Sequence, residues 1–398
     1  MPNLILTMVK ALAKKKLQFG KLSGLERFML AQAGLPDRIP TMLAATNIEP
    51  YMLNPQYNWK STVESLEANI ALADQVCAQF DCDLVFVPVW MGTMGMGAAD
   101  LGTEYKISKK RVPYPVAYPI KSMEDIVNIK PPEEVSGYLK MFFDVTLEIQ
   151  KRHPEQFSPL ALDGPWDLAM LLRGDDKLPF DMRIHKDYME TDDPVRKEKI
   201  RKRGNPEIYP AIMNLTTRLV IRHFELAKKH GLPLFGASLV DQYAASPILS
   251  RNDYVRYVLP YIEKVWLYQN KKLGILAPCA SPMEMKKILE TEPAGINHQI
   301  SWSNYIFPTT PEGVTLPEYD KPVFELAKIH KKCFMYIVHG KFLRDAYEDE
   351  IEALIKRICT LATKMRTSIT ISLSAITPDT DLDKIHKVFY LVKKYGRY

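Results

Sequence analysis

Eight short apolar runs, longer amphipathic patterns between them, and a composition of 46% hydrophobic and 25% charged residues over 398 positions predict an α/β chain folded as a single (β/α)8 TIM barrel. The runs are Ile39 to Ala44, Leu84 to Trp90, Leu160 to Asp163, Leu234 to Val240, Leu273 to Pro278, Ala294 to Ile300, Phe334 to Val338 and Ser368 to Ser374. They are continuous rather than alternating in polarity. That is the pattern of parallel strands covered on both faces.

Between most of them lie stretches with apolar spacing near 3.6, such as STVESLEANIALADQVCAQF, AIMNLTTRLVIRHFELAKKHG and EDEIEALIKRICTLATKM. Several end in Lys or Gly, as helix C-termini do. Met91 to Phe157 is too long for one strand-to-helix loop and predicts a long insertion after strand 2. Its alternating part, YKISKKRVPYPVAYPI from Tyr105, reads as a hairpin over the barrel mouth. Residues 1–24 read as an N-terminal helical extension and 25–398 as the barrel.

The excess of 53 Lys and Arg over 47 Asp and Glu leaves +6, too weak for a nucleic-acid footprint. The densest run, Arg196 to Arg203, is taken as a solvated helix end. Five scattered cysteines without a CxxC pair form no disulfide framework and point to a reducing, cytoplasmic setting. The N-terminus lacks the order of a signal peptide, and no window carries 18 apolar residues, so no membrane association is expected.

In a barrel of this kind the chemistry sits at the C-terminal ends of the strands. Those ends carry Asn47 and Glu49; Trp90 and the loop MGTMGMG; Asp163, Trp166 and Asp167; Asp241 and Gln242; Cys279; His298 and Trp302; His339; and Ser372 and Ser374. The glycines of MGTMGMG stand in the order G-x-x-G-x-G, which does not suit a dinucleotide cradle. A lid in which Met91, Met94 and Met96 offer adaptable apolar contacts suits it better. Asp163 and Asp241 are placed either to pass a proton to a substrate or to pair with Arg173 or Arg183. His339, ahead of Gly340, faces the mouth as base, anion binder or ligand. His298 is open to the same uses or to structural satisfaction. Cys279 is a thiolate candidate or an inert buried thiol. His223, His230 and His386 lie in or at the end of helices, where capping or surface roles are the default.

The segments PYPVAYPIKSMEDIVNIKPPE, GPWDLAMLLRG, VDQYAASPILSRNDYVRYVLPYIEKV and ITPDTDLDKIHKVFYLVKKYG, in this order, resemble the uroporphyrinogen decarboxylase superfamily over about Leu25 to Gly396. The resemblance implies a barrel with its pocket at the strand C-termini, and two activities: decarboxylation of porphyrinogens, and methyl transfer to a corrinoid protein. The arginine-rich motif of the decarboxylases is absent, with no arginine between Thr41 and Met52. The thiol-methylating zinc site is also broken, because Cys279 is retained while Ala277 and Ala375 stand at the other ligand positions.

The ether demethylases are the closer likeness. Their two-glutamate-and-histidine zinc motif is met here by Glu318 and His339, with Ser303 in place of the first glutamate and Cys279 or His298 as substitute ligands. The implied activity is transfer of a methyl group, from a phenyl methyl ether above other donors, to cobalamin carried by a partner protein. Zinc is the implied metal with its ligand set incomplete. Asp163, Asp241 and His339 are the expected catalytic groups. Asn47, Trp90, Met91, Met94, Met96, Trp166 and His298 are the expected substrate contacts. A decarboxylase of another small acid and a quaternary-amine methyltransferase are the alternatives. Partners are expected to be the small substrate, the corrinoid protein and a second copy in a homodimer.

Overall fold

The computed structural model describes residues 22–32, 34–44, 50–86, 95–232, 238–241, 243–244, 248–268, 274–276, 300–303, 317–329, 333–374, 376 and 379–398. Its strands are β1 (Thr41–Ala44), β2 (Leu84–Phe86), β3 (Glu104–Lys106), β4 (Tyr114–Ala117), β5 (Ala161–Asp163), β6 (Ser238–Val240), β7 (Gly274–Leu276), β8 (Ile300–Ser303), β9 (Phe334–His339) and β10 (Ile369–Ser374). All eight expected runs contain or adjoin a parallel strand. Of the sixth run only Ile300 is described; it opens the paired strand Ile300–Ser303, so Trp302 lies within a strand instead of beyond it.

Parallel ladders run in the order β2-β1-β10-β9-β8 and β5-β6-β7. The first and last parallel strands therefore pair, with Met42 opposite Ser372. Val85 N–H donates to Phe157 O at 3.0 Å just ahead of β5, which ties the two sheets at one end. Among the described residues no ladder joins β7 to β8, so the expected closed barrel is seen as two parallel arcs. The expected hairpin is present: β3 and β4 form a separate antiparallel pair, with Tyr105 opposite Pro115 and Lys106 opposite Tyr114.

Alternation along the parallel strands sorts two cores. Leu43, Val85, Leu162, Tyr336, Val338, Ile369, Ile371 and Leu373 bury against the surrounding helices. Met42, Leu84, Phe86, Ala161, Val240 and Met335, from both sheets, meet Phe28 and Phe157 in a second cluster, with Ala44 and Ile337 packed on it. The two sheets thus share one interior, and the helix Gly24–Gln32 places Phe28 in it.

Beside that helix Asp83 is almost fully buried. It accepts from Arg38 Nη1 and Nη2 (both 2.7 Å), Arg27 Nη1 (2.5 Å) and Thr41 N (2.9 Å). Burial opposes ionisation here, but the Arg38 and Arg27 guanidiniums prevail and hold the carboxyl below its ordinary range. These contacts fasten the start of β1 to the start of β2. The end remote from the strand C-termini is therefore the braced one.

The helices are stopped and started by local chemistry. Asp381 caps Leu382–Tyr395 by accepting Asp383 N–H at 2.9 Å, an interaction type worth about 1 kcal/mol. Pro165 opens Pro165–Arg173, where its missing N–H costs no hydrogen bond. The basic stretch forms the helix Pro194–Arg203, exposed except for buried Ile200 and half-buried Lys197, as expected of a solvated face. No helix among the described residues is long and apolar enough to cross a membrane.

Candidate active site

The interior face changes character along the strands. Ala161 in β5 is followed two residues on by Asp163, and Met335 and Ile337 in β9 by His339; in β10, Ser372 and Ser374 occupy the same alternation. Since the strands are parallel, these polar groups gather at one end of the shared interior, the C-terminal end anticipated for the chemistry.

The centre of the polar end is a pair of carboxyls. Asp163 closes β5, and the register of β5 on β6 sets Asp163 opposite Val240, so Asp241 is the next residue along. Gly164 N–H donates to Val240 O at 2.7 Å, which draws the two strand ends together. The Asp241 carboxyl then lies against Gly164 so closely that a Cβ there would stand 2.1 Å from Asp241 Cγ. Only glycine leaves room for it.

Each carboxyl has one oxygen satisfied by the backbone. Asp163 Oδ2 accepts Gly95 N–H at 3.1 Å, and Asp241 Oδ1 accepts Asp167 N–H at 2.9 Å, at the start of the helix Pro165–Arg173. Among the described residues, Asp163 Oδ1 and Asp241 Oδ2 are buried with no hydrogen-bond partner. Asp167 returns the interaction, its Oδ1 accepting Tyr243 N–H at 3.1 Å, so the segments after β5 and β6 clasp each other.

Neither carboxyl of the pair has a cationic partner among the described residues. The expected alternative, pairing with Arg173 or Arg183, is not what the fold does: Arg173 Nε is 2.7 Å from Asp181 and its Nη1 donates to the carbonyls of Ile120 and Lys121, while Arg183 lies near Asp253. Uncompensated burial therefore decides the protonation state. It pushes Asp163 up to about 8, against the Gly95 hydrogen bond and with help from the Asp241 charge. It pushes Asp241 up to about 7, against the N–H groups of Asp167 and Trp166. Two carboxyls in this state hold at least one proton between them at neutral pH.

Two tyrosines complete the surroundings. Burial, followed by the nearby Asp163 charge, pushes the Tyr105 phenol up; Tyr243 is raised by burial and then by Asp167 and Asp163. Both remain protonated phenols. Tyr105 comes from the inner face of the hairpin, so the excursion after β2 reaches the carboxyl pair. Neither tyrosine was anticipated from the sequence.

Trp166 is fully buried and tilts against Tyr209 with ring centroids 6.4 Å apart, and its Nε1 has no hydrogen-bond partner among the described residues. This is a core position directly behind the carboxyl pair, not an open wall. His339 is half-buried, and burial with the neighbouring Lys341 charge lowers its pKa, so the ring is neutral at pH 7. Its Nδ1 accepts Lys341 N–H at 3.2 Å, which leaves the ring proton on Nε2.

That tautomer bears on the expected metal. A histidine that ligates through Nε2 donates a proton from its other nitrogen to an outer partner, whereas here Nδ1 is an acceptor. Among the described residues no three His, Cys, Asp or Glu side chains cluster as a metal site. Of the implied zinc ligands Glu318, His339 and Cys279, the His339 side chain alone is among those described. Glu318 stands in the first turn of the helix Pro317–Ile329, and Met96 opens the helix Met96–Asp100; for both only the backbone is described. Asn47, Trp90, Met91, Met94, Cys279 and His298 lie outside the described residues.

The other histidines divide. His230 Nε2 meets Asp144 at 2.7 Å, and His386 stacks on Phe80. His223 departs from the expected surface or capping role. It is buried against Gly97, and burial pushes its pKa down to about 4. Cys77, Cys82, Cys333 and Cys359 are buried thiols, as expected.

The profile of the uroporphyrinogen decarboxylase (URO-D) family matches residues 25–395. A solved structure described as a methyltransferase from Methanosarcina mazei resembles the chain with a TM-score of 0.69 at 13% sequence identity, covering 94% of this chain and 99% of that one. At that identity the likeness speaks for the fold. No curated protein matches the sequence.

Proposed function

The chain belongs to the uroporphyrinogen decarboxylase family, and on that premise we propose that it is a methyltransferase moving a methyl group from a small methylated donor to the cob(I)alamin of a separate corrinoid protein. A phenyl methyl ether is the donor that suits the site best. The two parallel arcs are read as parts of one (β/α)8 barrel, supported by the β1–β10 pairing and the shared interior.

One observation carries the reading: a buried carboxyl pair, with no cation beside it among the described residues, that keeps a proton at neutral pH. An aryl ether oxygen is a poor leaving group until it is protonated. In the proposed step a proton passes from the Asp163–Asp241 pair to the ether oxygen as the methyl–oxygen bond breaks. The methyl carbon goes to the reduced cobalt, whose electron pair forms the new bond, and the phenol departs. The pair then regains its proton from solvent. His339 donates from Nε2 to the same oxygen or to a ring substituent. Trp166 backs the pocket, and Asn47, Trp90, Met91, Met94, Met96 and His298 are its proposed walls. No step is assigned to a metal.

Among the described residues no cation stands beside the pair, and a polycarboxylate substrate needs several. The test is methyl transfer to reduced cobalamin over a panel of ethers, thioethers and amines. We expect an ether to be active and Asp163→Asn and Asp241→Asn to lose about 10²-fold or more in kcat. Transfer from no donor, or full activity with alanine at both Asp241 and His339, rejects the proposal. Carbon dioxide release from a carboxylic acid by the protein alone establishes a decarboxylase instead.

A further inference from the structure

The helix Met96–Asp100 is seated at three points. At its head, Gly95 has φ +105°, a conformation that favours glycine, and its N–H lies on Asp163 Oδ2. In its first turn, Gly97 is packed on the ring of His223, where a Cβ would stand 2.6 Å from Cε1 and 3.2 Å from Nδ1. At its tail, the Asp100 carboxylate accepts the N–H groups of Tyr138 and Leu139, each at 2.9 Å, at the start of the helix Gly137–Arg152. The tail and the side are thus fixed to helices of the surrounding layer, and the head is presented to the carboxyl pair.

His223 belongs to the long helix Ile208–Lys229, which packs against Pro165–Arg173. It is buried and neutral, and the shift of its own titration has burial as its cause. A buried, uncharged ring at van der Waals limit against a backbone acts by its shape.

We infer that His223 is a positioning residue for Asp163: its ring sets the seat of the helix Met96–Asp100 and so holds the Gly95 N–H on Asp163 Oδ2. Among the described residues, the groups facing Asp163 are this N–H, the Asp241 carboxyl and the phenols of Tyr105 and Tyr243. Of these, the N–H favours the ionised form. A helix displaced by the width of the ring withdraws it, and Asp163 then keeps its proton to higher pH. The inference rests on the carboxyl-pair reading only for its kinetic consequence.

The experiment follows the Asp163 carboxyl carbon by NMR in the full chain labelled at aspartate, with Asp163→Asn to assign the signal. His223→Ala and Gly97→Ala are each expected to move its titration upward by about one pH unit, the size of one lost hydrogen bond to a carboxylate. His223→Phe, which keeps a flat ring in the space, is expected to leave it in place. In the double variant Gly97→Ala with His223→Ala, the added methyl has room, and the shift is expected to be smaller than the two single shifts combined. An unmoved titration in folded His223→Ala and Gly97→Ala overturns the inference. So does a His223→Phe variant that behaves like His223→Ala. Because the readout is a titration, a chain that transfers no methyl group but shows these shifts refutes the proposed function and leaves the positioning role standing.

Discussion

Replacing Gly164 with alanine puts a methyl carbon 2.1 Å from Asp241 Cγ and 2.2 and 2.3 Å from its oxygens, where ordinary contact starts at 3.4 Å. The Asp241 carboxyl cannot turn aside cheaply. It is buried, and it holds Asp167 N–H at 2.9 Å. Moving it by more than an ångström leaves that N–H unpaired, at about 1–3 kcal/mol, and strains the surrounding packing by a similar about 1–3 kcal/mol. The expected loss of stability is therefore about 2–6 kcal/mol, read as a lower denaturant midpoint at unchanged slope. Methyl transfer, which in the proposed reaction draws its proton from the pair, is expected to fall by about 10²-fold. Adding the same substitution to Asp241→Ala, where the carboxyl is gone, should cost little. Equal cost in both backgrounds refutes the contact as the cause, and an unchanged midpoint in Gly164→Ala refutes the geometry altogether.

Both carboxyls of the pair have folded-state pKa values above the ordinary 3.8, at about 8 and about 7. The folded chain consequently binds more protons than the unfolded one between roughly pH 4 and pH 8, so this contribution to stability is full below the unfolded pKa and is lost as pH rises through the folded values. Asp163→Asn should flatten the fall in stability over that window, measured by denaturant midpoints at pH 5 and pH 8; an unaltered pH dependence contradicts the assignment. Methyl transfer should decline as pH rises through about 8, because the pair gives up its last proton there. Arg38→Met removes a partner from buried Asp83 and should cost about 3 kcal/mol, measured by unfolding, and no loss would mean the carboxylate is solvated. Burial pushes Cys77, Cys333 and Cys359 up to about 12 and Cys82 well above its ordinary value. At most one thiol, Cys279, is expected to react rapidly with an aromatic disulfide at pH 7, and two fast thiols would contradict this.

Much of the frame could be read from local pattern. Val85, Leu162, Ile371 and their neighbours sit in apolar runs because parallel strands are buried on both faces, and that signal survives in the sequence alone. The sixth strand runs on past its expected end, since Ile300 to Ser303 is as apolar as Ala294 to Ile300 and periodicity does not mark the boundary. Asp163 and Asp241 were found by asking what stands at strand ends. Their partners were not. Gly95 lies far from Asp163 in sequence, Tyr105 reaches it from a hairpin, and His223 meets Gly97 across a helix interface. Such contacts depend on tertiary packing, which leaves no periodic trace. Gly164 did carry a signal, a glycine held between an aspartate and a proline, whose meaning appears only once Asp241 is placed beside it.

The brace at the other end of the strands has an architectural consequence. Phe28 and Phe157 fill the lower interior, and Arg27 and Arg38 bind Asp83 between β1 and β2. Asp83 is held by Arg27, Arg38 and Thr41, and the carboxyl pair by the N–H groups of Gly95 and Asp167, so foundation and superstructure are separately secured. Segments such as the Glu104–Ala117 excursion can then be exchanged between relatives as replaceable parts while the foundation keeps the sheets in register. Diversification of substrate in such a chain proceeds by renovation of its upper storey and needs no new solution to folding.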